Sequence, residues 1–386
     1  MRRLRLRVVA AVAVLGAGAA CSAASDDAPP SPAAAAAADD GTASGATAPD
    51  AATSASSDAA LAPDGAPKFT PAAIKVCPHG CDFELPSAAV ASAKPGALVE
   101  VLAGSYQDCV TIHADGVTLR GVGGYAHLHT KVCDGKGVIV NYASGTRLER
   151  LEISDFANVE FNGAGIRHDA TAKDLTVSDL FVHDGQLGLL SSSSDDTLVI
   201  EGTLFDKVGV SRPDGEISVP LFVGSSLKLK VRASRFMHAV AGASMIKSSA
   251  RSTAITCSVI ANLDGPDSYS IDLQRGNDFS LTNSVIEQST LTQNKIMIGY
   301  GSSSFTPATG TTLEIRGNTF LNDADGGTFI AVFKGAPASF VVADNTFIGS
   351  GTLLAGAGGL GVNQQLAARP PAIGAYPALP SPGPCQ

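Results

Sequence analysis

Leu175-Thr-Val-Ser178 and Leu198-Val-Ile-Glu201, 23 residues apart, carry the pattern that decides the fold of this chain. In each, apolar and polar residues alternate before a small polar turn, which is typical of a strand with one buried face. The phrase returns in Gly116-Val-Thr-Leu-Arg-Gly121, Leu148-Glu-Arg-Leu-Glu-Ile-Ser154, Leu227-Lys-Leu-Lys230, Ala254-Ile-Thr-Cys257, Phe279-Ser-Leu-Thr282, Leu313-Glu-Ile-Arg316 and Phe340-Val-Val-Ala343. So short a strand buries its apolar face only when the next copy stacks on it. The repeat, within the roughly 20–50 residue range of solenoids, therefore predicts stacked parallel strands.

The N-terminal end of the repeat region has a different pattern. Residues 87–94 form a helical run that ends at Pro95-Gly96, because proline cannot continue a helix. Residues 98–102, 103–106 and 110–112 then read as a strand, a turn and a second strand.

This order of elements, followed by Val117-Thr-Leu-Arg-Gly121, resembles the N-terminal end of right-handed parallel β-helix proteins of the pectin-lyase-like superfamily. The chain is most similar to uncharacterised bacterial exported β-helix repeat proteins, with which it shares Gly163-Ala-Gly-Ile-Arg167 and the turns that begin at Asn318 and Asn345. The resemblance covers about residues 75–359.

The resemblance implies an all-β, single-domain right-handed parallel β-helix within residues 68–361, with about nine coils and the N-terminal helix as its cap. It also implies that Asn318 and Asn345 form an inward-facing asparagine ladder. It implies no particular activity, because the superfamily includes lyases, hydrolases, adhesins and inert scaffolds.

The segments outside the repeats indicate export. Residues 1–7 are basic and residues 8–20 are apolar, a run too short for the ~20 residues that span a bilayer, so they predict a secretion signal. Gly18-Ala-Ala-Cys21 resembles a bacterial lipobox, which predicts a lipoprotein lipidated at Cys21; a plain Ala-x-Ala cleavage is the alternative. Residues 22–67 predict a disordered Ala/Ser/Asp/Pro tether, and residues 362–386 a Pro-rich tail, packed on the surface or disordered.

These segments place the protein on the bacterial cell envelope through its lipid anchor, or else in the periplasm or outside the cell. The anchor is then its only membrane contact. The charge argues against a nucleic-acid partner, since phosphate binding requires a basic footprint. The chain from Lys68 onward contains 23 basic and 29 acidic residues, which is a net negative charge.

Six cysteines remain besides Cys21, and disulfides persist in exported proteins. Cys77 pairs with Cys81, four residues away, and Cys109 pairs with Cys133, one coil away. Zinc binding is the alternative for Cys77-Pro-His-Gly-Cys81. Cys257, inside a strand copy, is interpreted as a small buried hydrophobe, and no partner is identified for Cys385, so the pairing of these two stays open.

A second column of strands supplies the candidate site. If the central apolar residue of each points inward, the outward row is Arg167, Leu190, Val223, Lys247 and Asp272. We predict Lys247, Arg251 and Tyr269 as catalytic candidates, and Arg167, His168, Asp272 and Arg275 as ligand-binding candidates.

The matching chemistry is β-elimination on a uronic-acid polymer, which needs a cation for the carboxylate, a base and an acid. In some β-helix polysaccharide lyases a Lys and an Arg are base and acid, and calcium is the electrophile. Lys247 and Arg251 resemble that pair. No acidic calcium cluster is evident, because Asp264 and Asp267 share one loop. No cofactor is predicted, except calcium if the chain is a lyase.

Three interpretations stay open. Lys247 and Asp272 on adjacent coils could form a surface salt bridge, worth ~0–1 kcal/mol. The favoured function is an envelope-tethered scaffold or polysaccharide-binding module, with a polysaccharide lyase as the alternative, so whether it is an enzyme stays open. No metal site is predicted: His183 and His238 are interpreted as turn residues two coils apart.

Overall fold

The computed structural model describes residues 69–70, 72–306, 309–335 and 337–385. The predicted signal segment with Cys21, and the tether at 22–67, lie outside the described residues. Within the described part, no helix is long and apolar enough to cross a membrane.

The described chain consists almost entirely of short strands. In chain order the elements are β1 (Ile74–Val76), α1 (Pro86–Ser92), β2 (Leu98–Tyr106), β3 (Val110–Ile112), β4 (Thr118–His129), β5 (Gly137–Asn141), β6 (Thr146–Glu149), β7 (Leu151–Ser154), β8 (Ala164–His168), β9 (Leu175–Ser178), β10 (Phe181–Gly185), β11 (Leu187–Ser191), β12 (Thr197–Glu201), β13 (Leu204–Val208), β14 (Val210–Ser211), β15 (Ile217–Ser218), β16 (Leu221–Val223), β17 (Lys228–Arg232), β18 (Arg235–Met237), β19 (Ile246–Ser248), β20 (Ser252–Thr256), β21 (Val259–Ala261), β22 (Ile271–Leu273), β23 (Asp278–Thr282), β24 (Val285–Gln288), β25 (Ile296–Tyr300), β26 (Thr312–Arg316), β27 (Thr319–Asn322), β28 (Thr328–Val332), β29 (Ser339–Ala343), β30 (Thr346–Ile348), β31 (Thr352–Gly356) and β32 (Gln364–Leu366).

The strands stack into three parallel sheets that wind as a right-handed β-helix of about 11 turns. The first sheet runs through β1, β2, β4, β6, β9, β12, β17, β20, β23, β26 and β29. The second runs through the distal halves of β2 and β4, then β7, β10, β13, β18, β21, β24, β27, β30 and β32. The third contains β3, β5, β8, β11, β16, β19, β22, β25, β28 and β31. Only β14 and β15 pair antiparallel among the named strands.

The core is the stack of inward-facing side chains from successive coils. Leu198 lies between Leu175 and Leu229 in the first sheet, and all three are completely buried. Aromatic rings stack in the same way, with the Phe205 and Phe236 centroids 4.8 Å apart. The predicted parallel solenoid is confirmed. It has more than the expected nine coils, because β1 and β32 extend it at both ends.

Helix α1 closes the N-terminal end of the solenoid, as expected. It begins at Pro86, a position where the missing amide proton costs nothing, and ends at Ser92. It packs against β1, β2 and β3 and buries Ala89 and Val90 there. The cap covers apolar ends of the first coil that would otherwise face water.

A hydrogen-bonded ladder of side chains runs along the corner between the first and second sheets. In the coils from Thr203 to Asn363, a side-chain oxygen accepts from the backbone amide of the equivalent residue one coil earlier. The ladder residues are Thr203, Ser234, Ser258, Ser284, Asn318, Asn345 and Asn363, with distances of 2.9–3.2 Å. The predicted asparagine ladder is confirmed as its C-terminal part.

Replacing Asn318 by Ala should destabilise the chain by about 3 kcal/mol, since an unsatisfied buried polar group costs about 1–3 kcal/mol. The amide of Ser284 and the carbonyl of Leu281 would both lose their partner. Urea unfolding measures this change. Asn363→Ala, at the open end of the ladder, should cost less; equal costs for the two variants would contradict the argument.

All three disulfides of the described chain are explained by the coil geometry. Cys77–Cys81 and Cys109–Cys133 form as predicted. The third joins Cys257 to Cys385, the two cysteines whose pairing the sequence left open, so Cys257 is a disulfide partner rather than only a buried hydrophobe. Cys257 has φ +50° at the corner after β20, where the C-terminal tail passes over it. The two cysteines are 128 residues apart in sequence, so their pairing could not be predicted from the repeat spacing.

The C-terminal tail packs along the outer face of the second sheet. Its beginning forms β32, within the segment assigned to the tail from sequence. Arg369 then forms a part-buried ion pair with Asp323, and the Tyr376 hydroxyl donates to the Leu263 carbonyl. Ile373 and Leu379 cover an outward apolar stripe made of Met237, Val259, Ala261, Val285, Leu321 and Ile348.

Two carboxyl groups are buried in this region. Glu287 lies between Ala261 and Leu321 in the outward row of the second sheet, and both it and Asp267 are completely buried. Burial raises the pKa of Asp267 to about 7 and that of Glu287 to about 8. The ionised forms are therefore disfavoured in the folded chain.

The free energy of unfolding should fall as the pH rises from about 5 to about 8. Both folded-state pKa values lie above those of the unfolded chain, so the stabilisation is complete below pH ~4 and is lost as the pH rises through 7 and 8. Each unit of pKa difference corresponds to about 1.4 kcal/mol. The double variant Asp267→Asn with Glu287→Gln should flatten this decline in urea unfolding.

The control is Glu160→Gln, which changes an exposed carboxyl and should keep the wild-type pH dependence. A double variant whose stability declines as steeply as that of the wild type would show that other groups cause the decline.

Candidate functional site

The third sheet presents a straight outward row of side chains. Register pairs Arg167 with Leu190, Leu190 with Phe222, Phe222 with Lys247, and Lys247 with Asp272. The prediction of Val223 in this row is wrong, because Val223 points inward and is completely buried. All three residues of β16 are apolar, so no alternation of apolar and polar residues indicates its register.

A hairpin, β14–β15, overhangs this row. Its turn is Arg212-Pro-Asp-Gly215, in which the Gly215 amide bonds the Arg212 carbonyl. The coil that carries it is longer than its neighbour: Leu198 and Leu229 are partners 31 residues apart, whereas Leu175 and Leu198 are 23 apart. That excess and the Pro-Asp-Gly turn are the sequence signals that could have revealed the hairpin.

Two adjoining clefts form between the hairpin and the sheet. The first, of about 200 Å³, is lined by Asn162, Arg167, Leu187, Leu190, Arg212, Glu216, Ile217, Ser218, Val219, Phe222 and Lys247. The second, of about 240 Å³, is lined by Gly215, Glu216, Ile217, Val219, Gly242, Ser244, Lys247, Ser268, Tyr269 and Asp272. Lys247 borders both, so the clefts form one continuous groove. This groove brings together four predicted site residues: Arg167, Lys247, Tyr269 and Asp272.

The two cations of the row are unpaired. Among the described residues, neither Arg167 nor Lys247 forms an ion pair; the Lys247 Nζ lies 5.8 Å from the Phe222 ring centroid. Burial lowers the pKa of Arg167, but a guanidinium remains protonated in proteins. Both positive charges are therefore available to a ligand.

Asp272 does not neutralise Lys247. The two residues are register partners, yet the predicted salt bridge does not form, and the Asp272 carboxylate instead accepts a hydrogen bond from Ser302. Burial raises the pKa of Asp272, against the smaller effects of Ser302 and Lys247. The carboxyl thus lies largely beneath the surface of the groove, with its side chain held by Ser302.

Tyr269 depends on a glycine in the next coil. A Cβ at Gly299 would lie 2.8 Å from the Tyr269 ring, so the ring occupies space that any other residue at position 299 would fill. Gly299 follows Asp272 in the outward row. Next to the Tyr269 ring, the floor of the groove therefore consists only of the Gly299 backbone.

His168 lies inside the solenoid, so its prediction as a ligand-binding residue is wrong. It is completely buried, with Nδ1 3.0 Å from Asn141 Nδ2 and Nε2 3.1 Å from Asp196 Oδ2. Side chains alternate along a strand, so the residue after outward-facing Arg167 must face inward.

Two further predicted residues lie away from the groove. Arg251 is exposed just before β20, where the chain has already turned from the third sheet into the first. The Arg275 guanidinium lies 4.1 Å from the Phe305 ring centroid, in the loop after β22. Neither lines the clefts, so the structure separates Arg251 from Lys247, its predicted partner in catalysis.

Several solved structures share the architecture at low sequence identity. A pectate lyase matches with 14% identity over 72% of each chain and a TM-score of 0.46. An alginate lyase from a Paenibacillus species matches with 17% identity over 73% of this chain and 96% of its own, with a TM-score of 0.41. The A-module of a mannuronan C-5 epimerase from Azotobacter vinelandii matches with 12% identity, coverages of 74% and 94%, and a TM-score of 0.39.

No protein-family model matches the sequence, and no curated protein matches it significantly. At such low identities these structures say nothing about the activity of this chain. Its own three parallel sheets, capping helix and inward ladder show a right-handed parallel β-helix fold.

Proposed function

We propose that this protein binds an anionic polysaccharide in the groove between the β14–β15 hairpin and the third sheet. The observation that carries the proposal is the pair of unpaired, partly buried cations, Arg167 and Lys247, in one outward row. They are three strand spacings apart, which is about 14 Å. A single sugar acid cannot reach both, whereas an extended chain of uronates can.

The surface between the cations is apolar. Leu190 and Phe222 occupy the two intervening coils and pack together with Ala164 and Leu187. Pyranose rings present apolar C–H faces, so sugars between two charged uronates would lie on these side chains. The order cation, apolar, apolar, cation fits a polymer that runs along the solenoid axis.

The disulfides support an exported protein. Three pairs form in the described chain, and disulfides persist in oxidising compartments outside the cytoplasm. We include in the proposal the lipid anchor at Cys21, which would hold the groove at the cell envelope beyond the tether at 22–67.

A second candidate function, polysaccharide lyase, is favoured by the side chains shared in the second cleft. Lys247 and Tyr269 line it together with Asp272. In this candidate Lys247 takes the proton beside the uronate carboxyl, and the Tyr269 hydroxyl protonates the leaving oxygen. Arg251 does not line this cleft, so the candidate gives the acid role to Tyr269 instead. Calcium would be the expected electrophile of such a reaction.

Isothermal titration with hexamers of galacturonate and of mannuronate tests the binding proposal. Arg167→Ala and Lys247→Ala should each weaken binding by roughly 10–100-fold, the equivalent of losing a charged hydrogen bond of about 1.5–3 kcal/mol. The galacturonate monomer should bind far more weakly than its hexamer, because it reaches only one cation.

The matched control is the double variant Lys228→Ala with Lys230→Ala, which removes exposed cations from the first sheet. It should bind like the wild type. An equal loss in this control, or equal binding of a neutral xylose hexamer, would contradict a specific groove.

The lyase candidate has a separate readout, the ultraviolet absorbance of unsaturated uronate products, measured with and without calcium. If the groove is catalytic, Tyr269→Phe should abolish product formation while hexamer binding persists, because the ring remains and only the proton donor is lost. Absence of product from wild-type protein that binds the hexamer would restrict the function to binding.

A further inference from the structure

The outer face of the second sheet carries a cluster of three side chains that the sequence did not associate. His127 on β4 is the register partner of Glu152 on β7, and His183 lies one coil further on β10. The interpretation of His183 as a turn residue is therefore wrong, since it belongs to a strand and faces outward beside Glu152.

The nitrogen and oxygen atoms of this cluster converge. One atom each of His127, Glu152 and His183 lies within 4.8 Å of the other two. Glu152 Oε1 is 3.1 Å from His183 Nε2 and 3.9 Å from His127 Nε2. Ligands bound to zinc at about 2.0–2.2 Å in tetrahedral geometry are roughly 3.3–3.5 Å apart, so the set needs only small side-chain shifts.

Neighbouring side chains orient both rings. His183 Nδ1 lies 2.7 Å from Asp184 Oδ2, so in the Nδ1-protonated tautomer this nitrogen donates to Asp184 and Nε2 is left to bind a metal ion. A carboxylate behind a histidine is the usual partner of a metal-binding imidazole. His127 Nε2 lies 2.8 Å from Ser154 Oγ, a hydrogen bond that a metal ion on Nε2 would replace, while Ser154 would keep its hydrogen bond to Asp155.

Two carboxylates flank the His183 ring, with Asp184 Oδ2 2.7 Å from Nδ1 and Glu152 Oε1 3.1 Å from Nε2. A cation bound beside Glu152 would compensate the negative charge of these carboxylates. The cluster is reachable, since the side chains of His127, Glu152 and His183 are 25%, 28% and 15% exposed.

We propose that His127, Glu152 and His183 form a binding site for a divalent transition-metal ion of the zinc type. Two imidazole nitrogens and one carboxylate oxygen are a set that zinc accepts, with the fourth position open to water or a ligand. Hard cations such as calcium and magnesium prefer all-oxygen sites, so the cluster selects against them.

The site is separate from the polysaccharide groove, because it lies on the second sheet and the groove lies on the third. It is also separate from the C-terminal tail, whose Ile373 and Leu379 pack on later coils of the second sheet. Its occupancy would crosslink three successive coils, β4, β7 and β10, near the N-terminal end of the solenoid.

Titration of EDTA-treated, dialysed protein with Zn²⁺ against a competing fluorescent chelator tests the proposal. The wild type should bind one Zn²⁺ per chain, while His183→Ala and Glu152→Gln should each bind at least 10-fold more weakly. Asp184→Asn should weaken binding by roughly 10–100-fold, as loss of a partner behind a metal-bound histidine does. Co²⁺ should give visible absorption bands of a four-coordinate site.

The matched control is His238→Ala, which alters a histidine on the same sheet that is already paired with Asp206 at 2.7 Å. It should bind Zn²⁺ like the wild type. Thermal melts of each variant without metal establish that it is folded, and Zn²⁺ should raise the melting temperature of the wild type but not that of Glu152→Gln. Wild-type protein that binds no Zn²⁺ at micromolar concentrations, or variants that bind it equally well, would overturn the proposal.

Discussion

The structure depends on the hydrogen bonds by which each coil satisfies a backbone amide of the coil before it. At the corner between the first and second sheets, Ser258 accepts from Ser234, and Asn345 accepts from Asn318. The residues before the ladder positions adopt left-handed backbone, for example Cys257 and Gly317 with φ of +50° and +66°. A buried amide without a partner is costly, so a slip of one residue in any coil would break the ladder. The ladder therefore fixes the register of the coils from Thr203 to Asn363, and the backbone pairing of the parallel sheets continues that register towards the N-terminus.

Because the register is fixed, the outward-facing side chains of successive coils form straight rows. Neighbours within a row are one strand spacing apart. Both proposed sites are such rows. In the groove, Arg167 and Lys247 are separated by two apolar coils; on the second sheet, His127 and Glu152 are direct neighbours. The spacing decides the chemistry, because side chains three coils apart suit a polymer, whereas those on adjacent coils converge on a single ion.

The repeats made the fold predictable, because alternation within each strand and the spacing between copies both survive in a single sequence. They also placed Lys247 beside Asp272 correctly. The register within short apolar strands was not predictable. In β16 all three residues are apolar, so no alternation indicated that Phe222 faces outward. The convergence of His127, Glu152 and His183 was not predicted either, because a single sequence does not show which residues of successive coils lie side by side. The Cys257–Cys385 pair depended on the path of a tail without repeats.

The chain carries a net charge of −9, yet its groove is proposed to bind a polyanion. These statements are compatible because screening limits the reach of a charge to about 8–10 Å at physiological ionic strength. The charges that act on a bound uronate are those of the groove itself. Arg167 and Lys247 are its unpaired cations and Arg212 is paired with Asp214, while Glu216 is an exposed carboxylate and Asp272 is buried and held by Ser302. The acidic remainder of the surface would still repel a polyanion at longer range. Such a groove would retain only polymers long enough to engage both cations, and the net charge would then contribute to selectivity against short anions.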